Sequence, residues 1–409
     1  MRFLHAADVH LDSPLLGLDQ YEGAPLEALR GATRRALAGL VQLAIAERVD
    51  FVILAGDLYD GDWQDYNTGV YFAQRMRELE RAGIPVFLIR GNHDAESRIT
   101  SQLTLPPNVH TFSTEQPETK TLDSCHVALH GQSFARQAEP RNLALHYPPP
   151  LSNYFNIGVL HTSLNGREDH ASYAPCTVDD LVNRHYDYWA LGHVHKRETV
   201  RSERPRIEFP GNIQGRHARE TGAKGCLLVT VHGQQVTAEF RPLDVIRWQV
   251  VAVRAAETDA ADDLWPQIQS ALTAAIDGAE GRLVAARLEI TCRAAVRAAV
   301  AADPAQLRAE LVARFEKEVW VEKIQWKQLP ELTAATPVLA EDATSELQSV
   351  LSSLQADAAT AQQLMTTGEC EKLLRNLPAP LRGWLAEAWP EIVSRAAVLL
   401  QTAGRETPA

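Results

Sequence analysis

Five short apolar runs punctuate the first half of the chain, and each gives way to side chains that can bind a metal. Phe3-Leu4 leads to Asp8 and His10, Phe51-Val52-Ile53-Leu54 to Asp57, and the run from Val86 to Ile89 to Gly91-Asn92-His93-Asp94. Ile157-Gly158-Val159-Leu160 leads to His161, and Tyr188-Trp189-Ala190-Leu191 to His193 and His195. Short continuous apolar runs of this kind read as buried strands. Between the first three the spacing changes to three or four. Leu26, Leu29, Thr33, Leu37, Leu40 and Ala44 predict a helix over about 26–47, and a second is expected over about 69–81. Strand, helix, strand, helix, strand is the βαβ signature of a layered α/β fold. Open α/β sheets collect their polar chemistry just past the carboxyl ends of the strands, where all five sets fall.

Beyond Asp94 the apolar runs shorten. Strands are expected at 127–129, 157–160 and 188–191, with a helix near 178–183, and strands at 207–209, 226–231 and 236–240 close a first domain, 1–243. A smaller α+β unit, 244–328, follows, with strands at 249–254, 284–292 and 319–325 and helices near 262–275 and 303–317. It has almost no His or acidic grouping suited to a metal, so it reads as a capping or recognition unit. In 329–409, Leu347, Val350, Leu351 and Leu354 share one helical face, and a second apolar helical stretch is broken at Pro378 and Pro380. This tail reads either as a bundle packed on its own chain or as helices that dock a partner.

At 409 residues, with 45% hydrophobic and 22% charged content, the chain has the composition of an ordinary globular protein of two or three domains. No stretch approaches the roughly 20 apolar residues of a membrane span. The start runs straight into Asp8 and His10, so no cleaved leader is expected, and the cytoplasm is the expected compartment. Cys125, Cys176, Cys226, Cys292 and Cys370 are odd in number and widely spaced, in keeping with a reducing compartment. A net charge of −12 argues against gripping nucleic acid by bulk positive charge. Locally, however, 196–224 carries Lys196, Arg197, Arg201, Arg204, Arg206, Arg216, Arg219 and Lys224 against Glu198, Glu203, Glu208 and Glu220, and Arg216 and Arg219 are expected to touch a DNA backbone.

The candidate ligands are Asp8, His10, Asp57, Asn92, His161, His193 and His195. Seven nitrogen and oxygen donors suit two divalent ions better than one. Asp57 is the expected bridge, with Asp8, His10 and His195 on one side and Asn92, His161 and His193 on the other. His193 and His195, two apart, would face one way in an extended segment, and Gly192 would let the backbone come close to the metals. Two ions about 3.5 to 4 Å apart suit in-line hydrolysis of a phosphate ester. His93 is then free to protonate the leaving oxygen, and Asp94 is expected to fix its ring.

Asp8-Val9-His10, Gly56-Asp57-Leu58-Tyr59-Asp60, Gly91-Asn92-His93-Asp94, His161 and Gly192-His193-Val194-His195 resemble, in order, the motifs of the calcineurin-like metallophosphoesterases. The GDLYD segment, the early start and the smaller unit after the last motif resemble the DNA-repair nuclease branch, which includes SbcD. Asp8-Val9-His10-Leu11-Asp12-Ser13-Pro14 is most similar to its YhaO-type exonuclease-like members. The resemblance implies a four-layer α/β/β/α sandwich, two metal ions that are usually manganese, and His93 as the catalytic histidine. It further implies DNA as substrate, a homodimer built through the nuclease domain, and an SMC-like coiled-coil ATPase bound by C-terminal helices. Two other readings stand beside a DNA-repair exonuclease or endonuclease. One is a phosphodiesterase or phosphatase for nucleotides or other small phosphate esters. The other is a catalytically inactive scaffold, against which the retention of every candidate ligand weighs.

Overall fold

Alternation within three parallel strands sets the layers of the molecule. In β1 (Arg2–Ala6), β2 (Phe51–Ala55) and β3 (Val86–Ile89), Phe3, Phe51, Ile53, Ala55, Phe87 and Ile89 join one core, while Leu4, Ala6, Val52, Leu54, Val86 and Leu88 join another. A period of two gives each strand two buried faces, so the sheet must be covered on both sides. The computed structural model describes residues 1–13, 25–60, 66–95, 104–165, 173–256, 258–300, 304–315 and 318–329; the tail beyond Leu329, with its expected helices, lies outside the described residues.

Two helices cover one side. Ala36, Leu37, Leu40, Val41 and Ala44 of α2 (Ala32–Ala46) and Phe72, Met76 and Leu79 of α3 (Tyr66–Arg81) fill the core beneath Leu4, Val52 and Val86. The single helix expected over 26–47 is two, α1 (Leu26–Arg30) and α2, interrupted at Gly31, whose φ of −88° and ψ of 2° leave the helical region. The sheet is completed by β4 (Val109–Thr111) beside β3, and by β11 (Gly225–His232) and β12 (Gln235–Pro242), each antiparallel to its neighbour, beyond β1.

A second six-stranded sheet lies against the other side. Its order is β5 (Glu118–Leu122), β6 (Val127–Gly131), β7 (Phe155–His161), β8 (Tyr188–Gly192), β10 (Arg206–Phe209) and β9 (Glu198–Arg201), with β6, β7, β8 and β10 parallel. Val127, Leu129, Ile157, Val159, Tyr188 and Ala190 meet the aromatic face of the first sheet, where Phe3 stacks on Phe51 at 4.8 Å and meets Tyr188 edge-on at 5.5 Å. The far face carries Leu160, Trp189, Leu191, Ile207 and Phe209 under Phe134, Tyr147, Tyr186 and Leu181 of the short α4 (Val178–Val182). The layers are therefore helix, sheet, sheet and a thin helical cover, which is the expected sandwich.

The chain then builds a three-stranded parallel sheet from β13 (Ile246–Arg254), β14 (Leu283–Cys292) and β15 (Val319–Gln328). Helices α5 (Ala261–Asp277), α6 (Ala294–Val300) and α7 (Pro304–Phe315) share its core through Leu264, Ile268, Leu272, Val296, Leu307 and Leu311. Spacing alone does not predict α6. Trp248 and Trp320, 5.7 Å apart, pack with Leu29, Ala32 and Ala218 and so seat this sheet against α1, the start of α2 and the 218 loop. Among the described residues no helix is long and apolar enough to cross a membrane.

Candidate metal centre

The parallel strands β1, β2 and β3 of one sheet and β7 and β8 of the other deliver their carboxyl ends to the same place. The loop after β1 is zipped to the loop after β2: Asp8 N–H donates to the Gly56 carbonyl at 3.0 Å, His10 N–H to Asp57 O at 3.0 Å and Leu11 N–H to Leu58 O at 2.8 Å. Asp8, His10, Asp57 and His193 all hold a positive φ, of 51°, 44°, 51° and 98°. Each costs on the order of 1 kcal/mol, and strain of this kind gathers where function requires it. Gly192 also serves packing: a Cβ there would collide with the Ala55 carbonyl oxygen and crowd His161 Nδ1, so this glycine admits the end of β2 against β8.

All seven expected ligands meet. Asp57 is central: its Oδ2 lies 3.3 Å from His161 Nε2 and 3.9 Å from His10 Nε2, while its Oδ1 accepts from His93 N–H at 3.0 Å. Asn92 Oδ1 is 3.0 Å from His161 Nε2, and His10 Nε2 is 3.0 Å from His195 Nε2. Asp8 accepts the His193 N–H at 3.0 and 3.1 Å, and the His161 and His193 rings are 5.1 Å apart. Two groups with ligand-bearing atoms converging are Asp8, His10, His195 and Asp57, His161, His193; a third is His10, Asp60, His93.

Hydrogen bonding fixes the tautomers and tests whether cations fit. His10 Nδ1 lies 2.8 Å from Asp60 Oδ1, and His195 Nδ1 lies 2.7 Å from Glu220 Oε1. A carboxylate only accepts, so each ring carries its proton on Nδ1 and points an Nε2 lone pair at the other ring. His161 Nδ1 likewise donates to Ala55 O at 2.9 Å, which aims its Nε2 at the oxygens of Asn92 and Asp57. The facing Nε2 atoms of His10 and His195 are acceptors with no donor between them, which is what a divalent ion requires, and the donor set of carboxylate, carboxamide and imidazole suits one. Burial opposes a charge on His161, but Asp57 beside it raises the ring to about 9. Burial would likewise raise the Asp57 carboxyl, and the His161 charge and hydrogen bond instead hold it far below the usual carboxylate range. A proton and a metal compete for the same nitrogen.

His93 sits at the mouth with 38% of its side chain exposed, and its Nδ1 lies 3.1 Å from Asp60 Oδ1. Here the expectation for Asp94 is corrected. The buried Asp94 carboxylate accepts the N–H groups of Leu58 at 3.0 Å, Tyr59 at 2.8 Å and Gly91 at 3.0 Å, which holds the two metal-bearing loops together, and the carboxylate at the His93 ring is Asp60. Burial, with the Asp57 charge next, raises Asp94 to about 6.

The basic stretch is also different from its sequence count. Arg201 pairs with Glu203, Arg204 with Asp187 and Arg206 with Glu208, while Lys224 donates to the His195 carbonyl at 2.8 Å. Arg216 is turned inward onto Asp60 and Glu220 rather than out toward a DNA backbone, and Arg219 is exposed. Glu220 and the Asp60 side chain are the functional groups that spacing missed. Asp60 was visible within the GDLYD segment, but nothing in the spacing links Glu220 to His195.

Residues 1–197 match the calcineurin-like phosphoesterase family, and residues 248–327 match the middle domain of metallophosphoesterase YhaO. The chain belongs to the calcineurin-like metallophosphoesterases and has a metal-dependent phosphoesterase fold with candidate dimetal sites. Within that family it is closely related to YhaO: it is 36% identical over 272 residues to the uncharacterized metallophosphoesterase YhaO of Bacillus subtilis, covering 66% of this chain and 67% of the relative. Similarity is weaker to the DNA double-strand break repair protein Mre11 of Sulfurisphaera tokodaii, 26% over 265 residues, covering 62% of this chain and 65% of that protein. It is 25% over 274 residues to the SbcD component of the nuclease SbcCD of Staphylococcus saprophyticus, covering 60% and 70%.

Proposed function

We propose that the protein is a two-metal hydrolase of phosphate diesters, with nucleotides and other small esters as its substrates. The observation that carries this reading is the convergence of ligand atoms in two groups, Asp8, His10 and His195 and Asp57, His161 and His193, with His10 and His195 Nε2 only 3.0 Å apart. Asp8, His10 and His195 would hold one ion, Asn92, His161 and His193 the other, and Asp57 would serve both. Two ions so held would supply Lewis acidity and lower the pKa of water there. Manganese is the ion that the resemblance to the nuclease branch implies. The chain itself supplies the acid. His93 protonates the departing oxygen from Nε2, and the Asp60 carboxylate at its Nδ1 fixes the orientation of the ring.

A second reading, a DNA exonuclease or endonuclease of double-strand break repair, is favoured by the similarity to proteins named as Mre11 and as a component of the nuclease SbcCD. In that reading the chain acts as a homodimer with an SMC-like coiled-coil ATPase docked through 329–409, 244–328 caps the nuclease domain, and the exposed Arg219 meets the DNA backbone.

One assay separates these. Turnover of bis-p-nitrophenyl phosphate should require Mn²⁺, stop in chelator, and vanish in His93→Ala while two ions per chain remain bound. Nucleotides released from linear duplex or single-stranded DNA under the same conditions would carry the second reading. Absence of turnover on every ester with both ions bound would overturn the proposal.

A further inference from the structure

Arg216 is largely withdrawn from solvent, its side chain only 15% exposed, and its NH2 lies 3.3 Å from Nδ1 of the candidate ligand His195. It joins three separate segments. Its NH1 donates to Asp60 Oδ2 at 3.2 Å and to Ser13 Oγ at 3.3 Å, and its NH2 donates to Glu220 Oε1 at 3.0 Å. Glu220 is further fixed by the Arg216 backbone N–H at 2.8 Å and by Asn212 Nδ2 at 2.9 Å, both on Oε2. One guanidinium therefore holds the two carboxylates that accept from His10 and His195, and these are the rings whose Nε2 atoms face each other. Asp60 serves His93 as well.

The other side of the centre is oriented differently. His161 is set by the Ala55 carbonyl, and none of Arg216's hydrogen bonds reaches Asn92, His161 or His193. We propose that Arg216 is a positioning residue for one ion only: by bridging Asp60 and Glu220 it locks His10 and His195 with both Nε2 atoms presented to the ion on the Asp8 side. This inference rests on the two-metal reading above. A planar fork can meet two carboxylates at once, whereas an ammonium is a point charge on a flexible stem, so lysine should not replace it. Partners that orient ligating histidines typically change metal affinity 10- to 100-fold when removed, and a residue that fixes two such partners should fall in about that range.

The test is calorimetric titration of the full chain with Mn²⁺, in backgrounds that leave one side intact. In His193→Ala, where the Asp8 side remains, adding Arg216→Gln should weaken the remaining ion about 10- to 100-fold. Arg216→Lys should weaken it nearly as much, and Glu220→Gln should do the same while removing no guanidinium. In His10→Ala, where the Asn92 side remains, Arg216→Gln should leave the ion within about twofold. Equal weakening of both ions, or of neither, overturns the proposal and marks Arg216 as a general structural contact or a bystander. Fewer than two ions bound by the unsubstituted chain would instead sink the two-metal reading itself.

Discussion

His5 offers a sharp test of how the two sheets hold the centre together. It lies on β1, fully buried, and reaches across to β8: Nε2–H donates to the Leu191 carbonyl at 3.1 Å, and Nδ1 accepts the Tyr188 hydroxyl at 3.0 Å. The ring thus links the strand that carries Asp8 and His10 to the strand that carries His193 and His195. Burial lowers its pKa from 6.5 to about 3, and the hydrogen bond to Leu191 only partly opposes this. The folded protein refuses a proton that the unfolded chain takes up at about 6.5. The stability His5 contributes is therefore complete above pH 6.5 and is lost as pH falls toward 3, at up to about 1.4 kcal/mol per pH unit. By pH 5 the loss through this one ring is about 2 kcal/mol. His5→Gln cannot take up that proton. Metal-free His5→Gln should be less stable than the parent by about 1 to 3 kcal/mol at pH 7.5, through two altered buried hydrogen bonds. That gap should close as the pH approaches 5. Other groups that titrate in this window are common to both proteins and cancel in the difference. Urea unfolding of both proteins at pH 7.5, 6.5, 5.5 and 5.0 measures it. A stability difference that stays flat across the series would refute the neutral, cross-sheet role of His5.

Three further outcomes follow from packing and from linkage. Gly192→Ala drives a Cβ into the Ala55 carbonyl where β8 meets β2 and should cost at least about 3 kcal/mol, seen as a lowered melting temperature or insoluble expression. Gly39→Ala, inside α2 with only an ordinary contact to Leu243 at 3.6 Å, should instead stabilise by about 0.5 to 1 kcal/mol. Mn²⁺ at a hundredfold excess over its dissociation constant should add about 2.7 kcal/mol per site to unfolding, and chelator should remove it, as read by calorimetry. A melting temperature indifferent to both would contradict folded-state binding.

Much of the core and of the candidate site is legible in the sequence because buried strands and polar loops alternate so abruptly. Phe51 to Ala55 and Val86 to Ile89 have the expected bounds, and each runs from the core directly into a ligand-bearing loop. What escaped depends on contacts between distant segments. Adjacency in the sequence links Asp94 to His93, yet its carboxylate turns to the Leu58, Tyr59 and Gly91 amides because those loops converge only in the fold. Glu220 is 25 residues from His195 and sits among basic residues, so a count of charge hid its role. The same count made Arg216 look available for a phosphate backbone, although its partners come from the β1 and β2 loops. The break at Gly31 was invisible because the apolar spacing continues through it. Short edge strands such as β4 and β9 carry too few buried residues to stand out from loops.

The most direct measurement is anomalous diffraction from a crystal soaked in Mn²⁺. Two peaks should flank Asp57, about 3.5 to 4 Å apart, one among Asp8, His10 and His195 and the other among Asn92, His161 and His193. No peak there, or a lone ion among His10, Asp60 and His93, would contradict a two-metal centre built on Asp57.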